Sequence, residues 1–284
     1  MLGLEINRLP DGSVTLGQQS YINTIIHRYG MENANTGNTP KDYKTRLDNM
    51  SNNADTEADQ AQYQSIVGSL MYAAQATRPD IAFPVAALSR YLLKPYKTHM
   101  TAAKRVLRYL KSTADVKLIF SCPGASSEGL VGYTDSYWAG DRHDRKSQGG
   151  YLFKMAGAPI SWKSKKQTVL ARSTTEAEYL ACSEATQEAQ GFIYLHRDVT
   201  GETMVLLIHC DSNCALSTIR STITSDKAKH IDVPFHNFRH LDAGGVVKFT
   251  EIDTLENLAD VMTKALPPEK HQYLTHGIGL RPPR

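Results

Sequence analysis

Four carboxylates stand at positions where chemistry explains them more readily than packing does. Asp135 follows the alternating run Leu130–Thr134, and Asp211 follows the compact apolar run Val205–Cys210, so each marks the C-terminal end of an expected strand. A carboxylate there is costly unless a helix cap, a cationic partner or a metal compensates it. Taken singly, each reads as an N-cap; two on neighbouring strands point to a shared site. Glu178 lies on a helix expected over Thr174–Val199, beside the small residues Ala177 and Ala181, which allow that face to approach a sheet closely. Glu176, by contrast, suits a solvent-facing place at the positive end of the helix. Asp260 falls inside a helix expected over Leu255–Leu266, where Asp is locally disfavoured. Four carboxylates brought together repel; two divalent cations among them would make the gathering tolerable and suit in-line displacement at phosphorus. Oxygen ligands without thiolates favour magnesium or manganese.

The elements that must position these residues fall into two groups. The chain has 284 residues, 41% of them hydrophobic, which is enough for two cores. It opens inside a β-hairpin, with Leu2, Leu4 and Ile6 alternating, a turn at Pro10–Ser13, then Val14 and Leu16. That start is expected of a piece of something longer. Tyr21, Ile22, Ile25, Ile26 and Tyr29 share a helical face that stops at Gly30. Residues 33–60 read as an exposed connector. Tyr63, Ile66, Val67, Leu70, Met71 and Ala74 form an amphipathic stripe, Pro79 opens a further helix, and Thr98 is the expected N-cap of the next. That last helix carries Lys104, Arg105, Arg108 and Lys111, a face open to solvent or to phosphates. Near Val116 the period becomes that of a strand, and Pro123–Ser127 marks a boundary. Beyond it come three strand runs, a helix, a strand, helices over Asn213–Arg220 and Lys229–Leu241, a strand over Val246–Ile252 and a last helix: a mixed α/β layout.

Composition excludes several classes. A net charge of +3 announces no globally basic nucleic-acid binder, so any basic surface is local. Cys122, Cys182, Cys210 and Cys214 supply neither a zinc pairing nor a disulfide framework, and their isolation fits a reducing, cytoplasmic compartment. No apolar run approaches the roughly 18 residues of a membrane span, and no signal peptide is expected.

The run Gly132-Tyr133-Thr134-Asp135-Ser136-Tyr137-Trp138-Ala139-Gly140-Asp141 resembles the first catalytic strand of the ribonuclease H of copia-type LTR retrotransposon Pol polyproteins. The likeness continues in order through Asp144–Ser147, Ile160–Gln167, Ser173–Tyr179, Cys210–Asn213, Lys229–Asp232 and Asn257–Lys264. In the first half, Leu2–Ile6 with Asp11-Gly12 resembles the last palm hairpin of the reverse transcriptase. Tyr63–Tyr72 and Thr77–Ile81 resemble its thumb and connection. The resemblance implies a ribonuclease H-like mixed sheet flanked by helices over 128–266, a mainly helical reverse transcriptase region over 1–122, and a tail over 267–284. It implies that Asp135, Glu178, Asp211 and Asp260 are a metal-binding catalytic quartet, with two Mg2+ ions (Mn2+ as substitute) as cofactors. An RNA–DNA hybrid is the implied substrate, and the upstream reverse transcriptase domains are implied partners within a virus-like particle. Lys163, Lys165, Lys166, Arg172 and Lys229 are candidates for contacting phosphates; the alternative for the lysine cluster is a solvated loop. One departure stands out: Ile252–Glu256 carries no His, where several relatives place one before the last Asp. His230, His236 and His240 lie elsewhere. The chain has no Tyr-x-Asp-Asp, so no polymerase centre is expected. Two rival expectations are a catalytically silent, nucleic-acid-binding retroelement relic and a strand-transferring integrase or transposase. The fourth carboxylate and the thumb-like first half argue against the latter.

Overall fold

The computed structural model describes residues 3–45, 47, 56–122, 129–141, 143–220 and 245–282. Two units are defined by their internal contacts, one from 1–127, 156–159 and 264–284, the other from 128–155 and 160–263. Each has its own buried apolar cluster.

In the first unit, β1 (Glu5–Arg8) and β2 (Val14–Gly17) pair antiparallel. Their turn is closed by the Ser13 N–H, which donates to Asp11 Oδ1 at 2.9 Å, while Gly12 takes a φ of 84° that side chains resist. Helix α1 (Gln19–Arg28) buries Ile22, Ile25 and Ile26. Helix α2 (Gln60–Ala76) starts at Asp59, whose carboxylate accepts from the Gln62 N–H. A 3-10 turn at Pro79–Ile81 leads into α3 (Ala82–Leu88). Helix α4 (Lys97–Ser112) begins one residue before the expected Thr98 cap. Tyr96 occupies the cap position, and its N–H donates to His99 Nδ1 at 3.0 Å. Strand β3 (Lys117–Phe120) then pairs with β2.

The expected connector is partly a packed strap. Thr39 and Pro40 are buried. Lys111 Nζ donates to the Ala34 carbonyl at 2.8 Å, Arg105 Nη2 to Thr39 Oγ1 at 3.0 Å, and the Gly37 N–H to the Arg108 carbonyl at 3.2 Å. Arg105 and Lys111 thus satisfy the polar groups of their own chain, which leaves Lys104 and Arg108 as the less committed cations of that face.

The second unit begins with β4 (Val131–Tyr137), β5 (Gln148–Met155) and β6 (Ala158–Lys166), whose first two residues group with the first unit. Helix α5 (Thr174–Thr200) follows. It is capped by Ser173, and Gly201 ends it at a φ of 77°. Then come β7 (Leu206–Cys210), α6 (Asn213–Arg220) and β8 (Val247–Glu251). The sheet order is β6-β5-β4-β7-β8, with β5 antiparallel to β4 and the β4–β7 and β7–β8 pairs parallel. This is the mixed five-stranded sheet flanked by helices that the resemblance implies. Ala177, Ala181, Ala185 and Ala189 recur along α5 at every fourth residue and are fully or almost fully buried, which lets the helix pack tightly.

The expected last helix of this unit shrinks to α7 (Asp260–Thr263). The Leu255 N–H bonds to Asp253 Oδ1 at 2.7 Å and the Ala259 N–H to Asn257 Oδ1 at 3.2 Å; these side chains offer the backbone an alternative to helix. Asp260 is therefore the first residue of a single turn, where a carboxylate suits the helix dipole, and not a mid-helix violation. The expected helix Lys229–Leu241, with Lys229, His230, His236 and His240, lies outside the described residues, as does the boundary turn Pro123–Ser127.

The chain then returns to the first unit. Residues 267–284, read from the sequence as a tail, contain α8 (Pro268–Ile278) and β9 (Leu280–Arg281), and β9 pairs antiparallel with β3. The four-stranded sheet β1-β2-β3-β9 thus closes on residues far apart in sequence. Buried His271 on α8 stacks edge-on against Tyr109 at 5.5 Å. Among the described residues no helix is long and apolar enough to cross a membrane.

Candidate metal centre

Parallel pairing of β4 with β7 brings the first two carboxylates level. Tyr133 lies opposite His209, and Asp135 and Asp211 each lie two residues further on. Asp135 is within β4 and not just beyond it, because the strand runs on to Tyr137. It cannot act as a helix cap there. Nor does Asp211 cap α6, since Ser212 Oγ accepts from the Ala215 N–H and the Ser212 carbonyl from the Leu216 N–H. Both capping alternatives are thereby removed.

The structure brings together all four carboxylates. Oxygens of Asp135, Asp211 and Asp260 lie within 4.8 Å of one another, and Asp211 also belongs to a second such group with Glu178 and Cys210. Asp135 and Asp260 are 2% and 0% exposed, so their charges have little water to screen them. The two glutamates at the start of α5 separate cleanly. Glu176 serves the helix terminus, its N–H bonded to Ser173 Oγ and its carboxylate accepting from the Arg172 N–H at 2.7 Å. Glu178 faces inward, and its Oε1 accepts from the Ser136 N–H at 3.2 Å. Burial, then Asp135, Cys210 and Asp211, push the Glu178 carboxyl well above the usual carboxylate range against the pull of Ser136.

The donor set fits hard divalent cations. Glu178 Oε2 is buried with no hydrogen-bond partner among the described residues, which is costly for a carboxylate oxygen unless a cation meets it. Cys210 is the unexpected member. It is fully buried, and its thiol engages Cys182, whose own thiol is pushed up by that contact and by burial. A soft thiol held in the apolar core is a poor ligand for magnesium, so the carboxylates define the centre. Three further residues escaped the sequence reading: Ser136 through its backbone, Asn257 and Thr263. The last two lie inside the motif around Asp260, but no rule of spacing singles them out.

The candidate phosphate contacts divide. Lys163 pairs with Glu184 at 3.2 Å, and Lys166 with Asp141 and Asp144 at 2.8 and 2.9 Å. Lys165 and Arg172 are exposed. Lys229 lies outside the described residues.

No family model matches the chain. It is similar to the "Retrovirus-related Pol polyprotein from transposon TNT 1-94" of Nicotiana tabacum, 37% identical over 290 residues that cover 99% of this chain and 21% of that protein. It is 34% identical to the corresponding protein from transposon RE1 of Arabidopsis thaliana, over 98% of this chain and 19% of that one. The chain thus spans about a fifth of the length of these relatives. A shorter relative, "Secreted RxLR effector protein 161" of Plasmopara viticola, is 53% identical over 127 residues, 45% of this chain and 88% of its own. Among solved structures, LC11-RNase H1 in complex with an RNA/DNA hybrid aligns with a TM-score of 0.37 and 18% identity, over 47% of this chain and 93% of that one.

Proposed function

Because the chain belongs to the retrovirus-related Pol polyproteins of copia-type transposons, we propose that residues 128–263 are a ribonuclease H that hydrolyses the RNA strand of an RNA–DNA hybrid. Residues 1–122 are the end of the reverse transcriptase that precedes it, and the polymerase centre belongs to upstream domains. The observation that carries the reading is the double membership of Asp211, which shares one oxygen group with Asp135 and Asp260 and another with Glu178.

Asp211, the carboxylate common to both groups, would hold Mg2+ together with Asp135 and Asp260 and together with Glu178. Bound there, the ions would lower the pKa of an attacking water and offset charge on the leaving 3′ oxygen. The Ser136 N–H fixes one oxygen of Glu178 and leaves the other for a cation. Lys165 and Arg172 are free to meet backbone phosphates. Lys163 and Lys166 reach them only by exchanging their present carboxylate partners. Recognition of 2′-hydroxyls distinguishes the RNA strand.

Magnesium is expected to stabilise the protein before any substrate is added. A cation that binds the folded state alone adds about 2.7 kcal/mol at a concentration one hundred times its Kd. The melting temperature is expected to rise with millimolar MgCl2 and to fall back with a chelator. A melt indifferent to magnesium and manganese would count against the centre.

A further inference from the structure

We infer that Asn257 and Thr263 are positioning residues that set the separation of Asp135 from Asp260 and so tune divalent-cation affinity; the inference rests on the metal centre proposed above. The problem they solve is that Asp260 sits on a helix of one turn. So short a helix has no stability of its own, because nucleation is unfavourable and too few bonds follow to offset it. Something else must hold Asp260 in place.

Two clasps do so, one at each end of α7. Asn257 is fully buried, and its Nδ2 donates to the Thr134 carbonyl on β4 at 3.0 Å, one residue before Asp135. Its Oδ1 accepts from the Ala259 N–H and its carbonyl from the Asp260 N–H at 3.2 Å each, so one side chain binds β4 to the residues that lead into the helix. At the other end, Thr263 is also fully buried, and its hydroxyl donates to Asp135 Oδ2. The same hydroxyl lies 3.3 Å from the Asp260 carbonyl, but it has one proton, and the charged carboxylate is the stronger acceptor. Thr263 thus fixes the rotation of the Asp135 carboxylate as well as its distance from α7.

The opposite strand is shaped for this arrangement. Gly150 pairs with Asp135 in the β4–β5 register, and a Cβ there would lie 2.5 Å from Met262 Cβ and 3.0 Å from Thr263 Cγ2. The absent side chain is the room into which α7 settles. Hydrogen bonds that orient ligands act this way in metal sites generally, and their loss typically costs about 10- to 100-fold in affinity.

The test compares Thr263→Val, Thr263→Ser and Gly150→Ala with the unaltered chain. Three quantities are measured: Mn2+ affinity by calorimetry, the magnesium concentration giving half-maximal hybrid cleavage, and the melting temperature in chelator. Valine keeps the shape of threonine and removes only the donor. Thr263→Val is expected to weaken Mn2+ binding and raise the half-maximal magnesium at least about tenfold, with cleavage at saturating magnesium changed much less. Thr263→Ser is expected to stay near the unaltered chain, and Gly150→Ala to weaken Mn2+ binding by displacing α7. If Thr263→Val binds Mn2+ normally while the unaltered chain cleaves, the positioning role is overturned and the metal centre stands. A lower melting temperature with unchanged affinity gives Thr263 a packing role only, which also overturns it. If the unaltered chain neither binds Mn2+ nor cleaves, the metal centre falls and the inference falls with it.

Discussion

Asp211→Asn is expected to abolish hybrid cleavage while leaving the metal-free protein as stable as before, or more so. Asp211 is the one carboxylate common to both oxygen groups, so its loss weakens both cation positions at once. Asparagine keeps the shape and one acceptor oxygen but not the anion, and it binds a hard divalent cation poorly. Loss of a carboxylate common to both proposed ion positions is expected to cost on the order of a thousandfold or more in rate. Stability should move the other way. Without metal, the charge on Asp211 helps to push up the buried Glu178 carboxyl, and removing it relieves repulsion that folding must overcome. No helix cap is lost, because Ser212 supplies the hydroxyl at α6. The two measurements are hybrid cleavage in magnesium and a thermal melt in chelator. Near-normal cleavage would remove Asp211 from the centre. A large drop in the metal-free melting temperature would assign it a structural contact.

The second large effect belongs to the first unit, at Arg78. Its guanidinium is fully buried and bonds Asp80 through both Nε and Nη2, at 2.9 and 2.7 Å. It also donates to the Thr113 carbonyl and hydroxyl, while the Tyr109 hydroxyl donates to Asp80 at 2.6 Å. Burial would raise the Asp80 carboxyl, but the guanidinium and these bonds outweigh it and hold the group below its usual range. Arg78→Leu leaves Asp80 charged, buried and without its cation. Breaking such a pair from one side costs about 3–5 kcal/mol. In a unit of this size, that is a fall in melting temperature of roughly 10 °C. Hydrogen exchange should show protection lost across α2 and α4, with the sheet of the second unit still protected. Retained protection in α2 and α4 would mean that the network contributes little.

The sequence was most legible where one period ran long. The pattern of α5 placed that helix within a residue of its observed end, and the alternation of β1 and β2 with their Asp-Gly turn gave the hairpin. The carboxylates were legible for two reasons. Asp211 stands beside a compact strand. Glu178 is flanked by alanines, and Glu176 carried the signature of a helix start. What escaped was set by long-range pairing or by competition at short range. Strand β9 is two residues long and gains its identity from β3, more than 150 residues earlier in the chain. The strap over 33–45 is polar in composition, yet Arg105 and Lys111 of α4 satisfy its carbonyls, which no local pattern reveals. Around Asp260, Asp253 and Asn257 diverted the backbone from a helix that the apolar spacing alone supported.

Metal-dependent cleavage of one strand of a hybrid is read out by a strand-specific nuclease assay. The full chain is incubated in magnesium with an RNA–DNA hybrid labelled on the RNA strand, beside double-stranded RNA and double-stranded DNA of the same sequence, with a chelator control for each. Products are expected from the RNA strand of the hybrid alone, and none with chelator. Hybrid binding without cleavage at any magnesium or manganese concentration, or cleavage or strand transfer of the DNA duplex, would contradict it.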